Sequence, residues 1–166
     1  MFKLIAALLL LISTAANSVE TTQPESEGKV ILTVTGKILH GNYGNSARFN
    51  LEQLQSLKSQ TLKLQTRWSD RIHEYHGPLL SAVLEHVGAT GNTLRLTALN
   101  DYTIDIERAY IEKYQPILAW RDDNQIMSVR NKGPLWLILP LDKYPELNTE
   151  ENTGKMIWQL THIEIF

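Results

Sequence analysis

Histidine, serine and acidic side chains are the obvious candidates for chemistry in this sequence, but their spacing forms no recognisable catalytic set. Ser69 and Asp70 precede His73 and His76, yet no nucleophile elbow accompanies the serine. The two histidines are three residues apart in a predicted strand, a spacing that places them on opposite faces. Because no His-Glu-x-x-His pattern occurs, we expect neither catalytic residues nor a metal site at these histidines.

Two further features limit the metal and redox chemistry that the chain can perform. Asp122, Asp123 and Asn124 resemble a calcium loop superficially, but the glycine and the distal glutamate of the EF-hand pattern are missing. The three residues are typical of a hairpin turn. The chain contains no cysteine, which excludes disulfides, thiolate nucleophiles and any metal held by a protein thiolate.

Polar and cationic side chains follow or precede predicted strands at two places. Asn100 and Asp101 offer an amide and a carboxylate after an apolar strand; they either face a ligand pocket or form a local turn. Tyr102 is either pocket wall or core. Arg130 and Lys132 either contact an anionic or oxygen-bearing ligand or are solvated surface charges.

The elements that must position these groups follow from hydrophobic periodicity. The clearest helix is predicted from Pro78, at a favourable first-turn position, to Gly88, which ends it. Asn50 is predicted to cap a shorter helix, residues 107–114 to form a weak helical turn, and residues 142–154 to be irregular. Strands are predicted at 30–35, 61–66, 72–76, 93–99, 103–106, 117–121, 125–129, 135–139 and 157–165. The sum is a β-rich α+β domain with a mixed sheet and one main helix.

The N-terminus and the charge indicate export and partners that are not nucleic acids. Lys3 is followed by an unbroken apolar run at 4–12 and by small residues, the layout of a cleaved secretory signal. The run is too short for a membrane span. We therefore expect a signal peptide at 1–18, a flexible mature N-terminus at 19–29 and one domain at 30–166. With a formal net charge of −2, the chain lacks the excess positive charge typical of proteins that bind nucleic acid or an anionic membrane.

Four segments in register resemble one known family. Residues 75–88 are similar to its segment in which Gly-x-x-Leu opens a helix that ends in glycine, and residues 96–102 resemble the strand that follows. Residues 132–140 are similar to a Gly-x-Pro-(Leu/Val)-Arg segment, and residues 157–164 to a terminal Lys-Trp-Leu-x-x-Ile-Glu strand. The chain thus resembles the oxidoreductase molybdopterin-binding domain across 30–166. The resemblance implies the sulfite-oxidase molybdopterin-binding-like fold.

Two departures from the family affect the function that the resemblance implies. The enzymes ligate molybdenum through a cysteine in the loop where this chain has residues 66–70, and they use an arginine where it has Trp136. Molybdenum in such sites depends on soft sulfur ligands. The chain is therefore more similar to the cysteine-free, exported pterin-binding proteins of the PruR type, which are thought to report periplasmic pterins to membrane-bound cyclic-dinucleotide enzymes.

This resemblance implies a periplasmic, non-catalytic pterin sensor without molybdenum, partnered by the periplasmic domain of an inner-membrane signalling protein. The alternatives are a molybdopterin-dependent oxidoreductase and an interaction module with a vestigial pocket. Trp68 is the predicted stacking platform, unless it is an ordinary core tryptophan, and Asp101 is the predicted reader of the N–H-rich pterin edge. The predicted pterin-binding residues are Trp68, Asn100, Asp101, Tyr102, Arg67, Arg130 and Lys132.

Overall fold

The computed structural model describes residues 28–166. The predicted signal peptide and all but the last two residues of the predicted mature N-terminus lie outside the described residues. The strands are β1 (Leu32–Gly36), β2 (Ala47–Phe49), β3 (Ser59–Leu64), β4 (His73–Pro78), β5 (Thr93–Ala98), β6 (Thr103–Glu107), β7 (Ile117–Ala119), β8 (Arg121–Asp122), β9 (Gln125–Ile126), β10 (Trp136–Ile138) and β11 (Leu160–Ile165). The helices are α1 (Leu51–Gln55), α2 (Leu80–His86), α3 (Arg108–Tyr114) and α4 (Glu150–Gly154), with 3₁₀ turns at Val129–Asn131 and Pro145–Leu147.

A five-stranded sheet in the order β2-β1-β11-β5-β6 forms the larger layer. The β1–β11 pair is parallel, and the other pairs in this sheet are antiparallel. Val34 and Leu96 both lie opposite Ile163 on the central strand, and all three side chains are buried. Alternation along these strands therefore directs one row of apolar side chains into the core.

The smaller layer consists of a four-stranded sheet, β3-β4-β8-β9, and the two-stranded pair β10-β7. The backbone of β4 lies so close to β7 that a Cβ on Gly77 would overlap the carbonyl group of Leu118. Glycine is required there because only a residue without a side chain permits this approach. The close contact holds the two parts of the smaller layer together.

Buried side chains form two hydrophobic clusters. One packs α2 and the five-stranded sheet together, and includes Leu80, Val83, Leu96 and Ile163. The other lies under the smaller layer. Its largest fully buried members are Tyr75 and Trp136, and Trp68 packs against it.

Several predicted elements are confirmed, and the physical signals behind them are visible. Asn50 caps α1 through a reciprocal capping box: Asn50 Oδ1 accepts from the Gln53 backbone N–H, and the Asn50 backbone N–H donates to Gln53 Oε1, both at 2.8 Å. Gly88, just beyond α2, has φ +59°, the left-handed conformation that ends helices. The Asp123–Asn124 turn joins β8 and β9 as a hairpin.

Other predicted boundaries were wrong. Pro78 does not open the helix: it is the last residue of β4 and pairs with Ser59, so α2 begins only at Leu80. Residues 142–154 are not wholly irregular, because Thr149 accepts a hydrogen bond from the Asn152 amide and starts α4. The last strand begins at 160 rather than 157, and residues 127–129 are not strand.

The mixed α+β prediction is confirmed. No helix within residues 28–166 is long and apolar enough to cross a membrane.

Candidate functional site

A cleft of about 350 Å³ opens where three segments of the chain meet. These are the loop after β3, the turn between β5 and β6, and the segment between α4 and β11. The cleft is lined mainly by apolar and aromatic side chains, as small-molecule sites usually are. Its lining residues are Trp68, Ala98, Asn100, Tyr102, Gly154, Met156, Ile157 and Trp158.

Three indoles, Trp68, Trp136 and Trp158, form what we call the tryptophan cluster at the base of this cleft. The Trp68 ring lies edge-on to both others, with centroid separations of 5.7 Å to Trp136 and 5.3 Å to Trp158. Edge-to-face pairs at these distances are favourable, because the positive ring edge meets the negative ring face. Trp136 is only 1% exposed and belongs to the core, whereas Trp68 is half-buried and Trp158 is 36% exposed. The cluster therefore runs from the interior to the cleft wall.

Hydrogen bonds from the core fix the segment that carries Trp158. The buried Trp136 Nε1 donates to the Met156 carbonyl at 2.9 Å, and the Leu137 amide donates to the Ile157 carbonyl at 2.9 Å. Beyond Trp158, Gln159 has φ +52°, and its carbonyl accepts from the Leu99 amide. These bonds tie the segment to β10 on one side and to the end of β5 on the other.

The turn after β5 supplies the polar groups of the cleft. Asn100 and Tyr102 line it, and Asn100 Oδ1 also accepts from the Tyr102 amide at 3.3 Å. Asn100 therefore has both roles left open by its sequence, a turn-forming side chain and a pocket residue. Asp101 is not among the lining residues: it is exposed and occupies the left-handed position of the turn, at φ +64°, with its amide bonded to the Ala98 carbonyl.

The predicted cations lie outside the lining. The Arg67 guanidinium donates to Thr153 Oγ1 at 3.3 Å and lies 5.8 Å from the Trp68 ring, at the margin of the cleft. Lys132 Nζ is 5.0 Å from the Trp136 ring, on the tryptophan cluster but not in the cleft. Arg130 is exposed on the 3₁₀ turn. Within residues 28–166, none of the three has a carboxylate oxygen within 4.0 Å.

The lining carries no ionisable acid or base other than the Tyr102 phenol. Behind the lining residues, Tyr75 packs edge-on against Trp136, with the ring centroids 5.3 Å apart. Burial raises the pKa of Tyr75 to about 12, and the negative charge of Asp122 adds to this shift. This phenol is therefore neutral at physiological pH. The arrangement can bind a flat ring by stacking and by amide and hydroxyl hydrogen bonds, but it lacks a general acid–base pair among the described lining residues.

The structure brings together Trp68, Asn100 and Tyr102 from the predicted set, places Arg67 beside them, and leaves Asp101, Arg130 and Lys132 outside the lining. Sequence reasoning missed the wall formed by Gly154, Met156, Ile157 and Trp158. The signal available in the sequence was the run Met156-Ile157-Trp158, because three consecutive large apolar residues do not fit the alternation of a half-buried strand.

Comparison with solved structures shows a fold similar to that of the sulfane dehydrogenase SoxCD from Paracoccus pantotrophus. The TM-score is 0.61 at 15% sequence identity, and the match covers 87% of this chain and 40% of that one. The chain thus spans less than half the length of the enzyme it matches. No protein-family model matches the chain. No curated protein sequence matches it either.

At this identity the likeness concerns the fold alone. The fold is sulfite-oxidase-like, a β-rich α+β arrangement, which confirms the fold class predicted from the sequence.

Proposed function

We propose that this chain binds a free pterin in the tryptophan-lined cleft and acts as a non-catalytic ligand sensor. The observation that carries the proposal is the composition of the cleft: an aromatic wall built on Trp68 in a sulfite-oxidase-like fold whose sequence contains no cysteine.

The chemistry of the cleft suits a fused heteroaromatic ring. Trp68 and Trp158 offer ring surfaces, and Met156 adds a polarisable thioether that contacts aromatic rings favourably. Stacking a base-like ring on an aromatic side chain contributes about 1–3 kcal/mol. The Asn100 amide both donates and accepts, so it can pair with the amide-like edge of a pterin, and the Tyr102 hydroxyl can serve a second ring atom.

The residues present do not fit a molybdenum centre. The loop after β3 carries Thr66, Arg67 and Trp68, and the whole sequence has no thiol to ligate the metal. The indole of Trp68 is a poor substitute, since its N–H is a donor only. A molybdopterin-dependent oxidoreductase is therefore the second candidate, favoured only by the fold likeness, and it predicts stoichiometric molybdenum in protein isolated from its host.

The sensing role rests on the resemblance to PruR-type proteins and on the rim of the cleft. We propose that a signal peptide at 1–18 directs the chain to the periplasm, where the filled cleft is recognised by the periplasmic domain of an inner-membrane cyclic-dinucleotide enzyme. Leu99, Tyr102 and Trp158 support a protein contact at this rim, because all three are large apolar or aromatic side chains that are at least 36% exposed.

Calorimetric titration of the mature chain with an oxidised and a reduced pterin tests the binding proposal. We expect saturable binding with quenching of tryptophan fluorescence, and an increase in Kd of about five- to 150-fold for Trp68→Ala, which is 1–3 kcal/mol of lost stacking. Tyr43→Ala is the matched control, since Tyr43 is an exposed aromatic residue in the β1–β2 loop that lies over Arg48 and outside the cleft.

The proposal fails if no pterin binds at millimolar concentration, or if Trp68→Ala and Tyr43→Ala bind as tightly as the unaltered chain. If Trp68→Ala abolishes binding but restores signalling in a host lacking the chain, the pocket is vestigial for signalling and the interaction-module alternative replaces the sensor.

A further inference from the structure

A second group of polar side chains lies away from the cleft, where β4 meets the β8–β9 hairpin. His73 Nδ1 is 2.7 Å from Asp122 Oδ1 and 3.6 Å from Asp123 Oδ2. One ligating atom from each of these three residues lies within 4.8 Å of the others. All three residues are half-buried, so their orientation is set by the surrounding structure while solvent still reaches them.

The backbone and a neighbouring side chain hold the three residues in place. The Asp123 amide donates to the Glu74 carbonyl at 2.7 Å, and Asp123 Oδ1 accepts from the Glu74 amide at 2.9 Å. Arg71 Nη2 binds Asp123 Oδ2 at 2.7 Å. The His73 ring is stacked on Tyr75, with the centroids 5.6 Å apart and the planes at 11°.

The carboxylates keep coordinating capacity, whereas His73 Nδ1 donates to Asp122 Oδ1 and can ligate only an ion that displaces this proton. A carboxylate oxygen has two lone-pair sites, so an oxygen that already accepts one hydrogen bond can still ligate a cation. With His73 neutral, the two carboxylates and the Arg71 guanidinium carry a net charge of −1, which favours a divalent cation. A polar hollow of about 340 Å³, lined by both aspartates and by Asn124 and Gln125, adjoins the group and leaves room for water ligands.

Contrary to the expectation from sequence spacing, we propose that His73, Asp122 and Asp123 bind a divalent late first-row transition metal of the Zn²⁺ type, because the β8–β9 hairpin brings the two aspartates to β4. An imidazole nitrogen with carboxylate oxygens suits this class, whereas Ca²⁺ and Mg²⁺ prefer oxygen ligands throughout. Two ligands at about 2.0–2.2 Å from a shared ion are about 3.3–3.6 Å apart at the tetrahedral angle. The 3.6 Å separation of His73 Nδ1 and Asp123 Oδ2 matches this value, and the 2.7 Å hydrogen bond from His73 Nδ1 to Asp122 Oδ1 must widen when the ion replaces the shared proton. The metal would join β4 to the hairpin, independently of any pterin.

Zinc titration of the mature chain in competition with a chromophoric chelator tests the site. We expect one Zn²⁺ per chain and a loss of affinity of at least about tenfold for His73→Ala, as removal of a ligand should cost no less than removal of an outer-shell partner. His76→Ala is the matched control on the same strand. The His76 imidazole bonds to Thr61 Oγ1 at 2.8 Å, and burial and the Arg121 charge lower its pKa, so it is a neutral imidazole without a carboxylate pair.

Asp122→Asn provides a second variant that keeps the size of the side chain and its bond to His73, and it too should weaken zinc binding. Circular dichroism of each variant shows whether it is folded, and the comparison uses folded variants only. Zinc binding of equal strength in the unaltered chain, His73→Ala and Asp122→Asn would overturn the proposal, as would an equal loss in His76→Ala. Absence of zinc binding to the unaltered chain would overturn it outright, whatever the outcome of the pterin titration.

Discussion

Trp136→Phe should lower the stability of the fold and the affinity of the cleft for pterin, because the Trp136 indole joins the core to the candidate site. The ring is 1% exposed, and Nε1 donates to the Met156 carbonyl at 2.9 Å. Phenylalanine keeps a ring but removes this donor, leaving a carbonyl that belongs to the cleft wall without its partner.

The expected cost has two parts. A buried polar group that loses its partner costs about 1–3 kcal/mol. The smaller ring also removes packing volume, for about 1–2 kcal/mol more. We therefore expect Trp136→Phe to lower the free energy of unfolding by about 2–5 kcal/mol.

Trp120→Phe is a matched control for the volume part alone. Trp120 is also buried, at 9% exposure, but its Nε1 has no hydrogen-bond partner within residues 28–166. The same substitution there removes volume and an unpaired donor, so the expected cost is about 1–2 kcal/mol or less. Urea unfolding followed by far-ultraviolet circular dichroism measures both variants without depending on the tryptophan signal.

A second measurement distinguishes a local effect from a general one. Trp68 and Trp158 both pack against Trp136, so a folded Trp136→Phe protein should bind pterin more weakly, while Trp120→Phe should bind as the unaltered chain does. Equal destabilisation by the two substitutions would refute the role given to the Met156 hydrogen bond. Unchanged pterin affinity in Trp136→Phe would refute the claim that the core indole positions the cleft.

Two other predictions concern the framework and its response to pH. Gly77→Ala should lower the free energy of unfolding by at least about 3 kcal/mol, because the added Cβ meets the Leu118 carbonyl group, which cannot move aside. Gly154 has open space around it, so Gly154→Ala should leave the free energy of unfolding nearly unchanged in the same urea assay. Burial raises the pKa of Tyr110 from 10.0 to about 12, so the unfolded chain releases this proton first and stability should fall as pH rises from about 10 to 12. Tyr110→Phe should flatten that part of the stability profile by up to about 2 kcal/mol, and an unchanged slope would contradict the assignment.

Much of the framework could be predicted because its signals are local. Asn50 before the spaced leucines predicts a capped helix start, Gly88 predicts a helix end, and both are confirmed. Pro78 misled the prediction for a physical reason. A proline suits the first turn of a helix and also the end of a strand, and only the pairing of Pro78 with Ser59, which is distant in sequence, decides between them.

The candidate site could be predicted only in part because the cleft is assembled from distant segments. Trp68 and Tyr102 were identified by residue type and by their positions at strand ends, and both line the cleft. Asp101 was chosen for its carboxylate, but its left-handed backbone places it outside the lining. The wall at Met156 was missed because the strand was expected to begin at 157, and it is the Trp136 hydrogen bond that holds this segment in place.

The two departures from the molybdopterin enzymes that the sequence resembles meet in space. The resemblance places Trp68 in the loop where those enzymes have their cysteine and Trp136 at the position of their arginine, and the two rings are 5.7 Å apart. Packed indoles, joined by Trp158, thus occupy the two positions to which the resemblance assigns a soft anionic ligand and a cation. An apolar wall of this kind provides no group that compensates the charge of a metal centre, whereas a neutral flat ring can pack against it. Under the proposed function, a thiol at residue 68 alone would remove the stacking surface without supplying a cation, so Trp68→Cys is expected to weaken pterin binding.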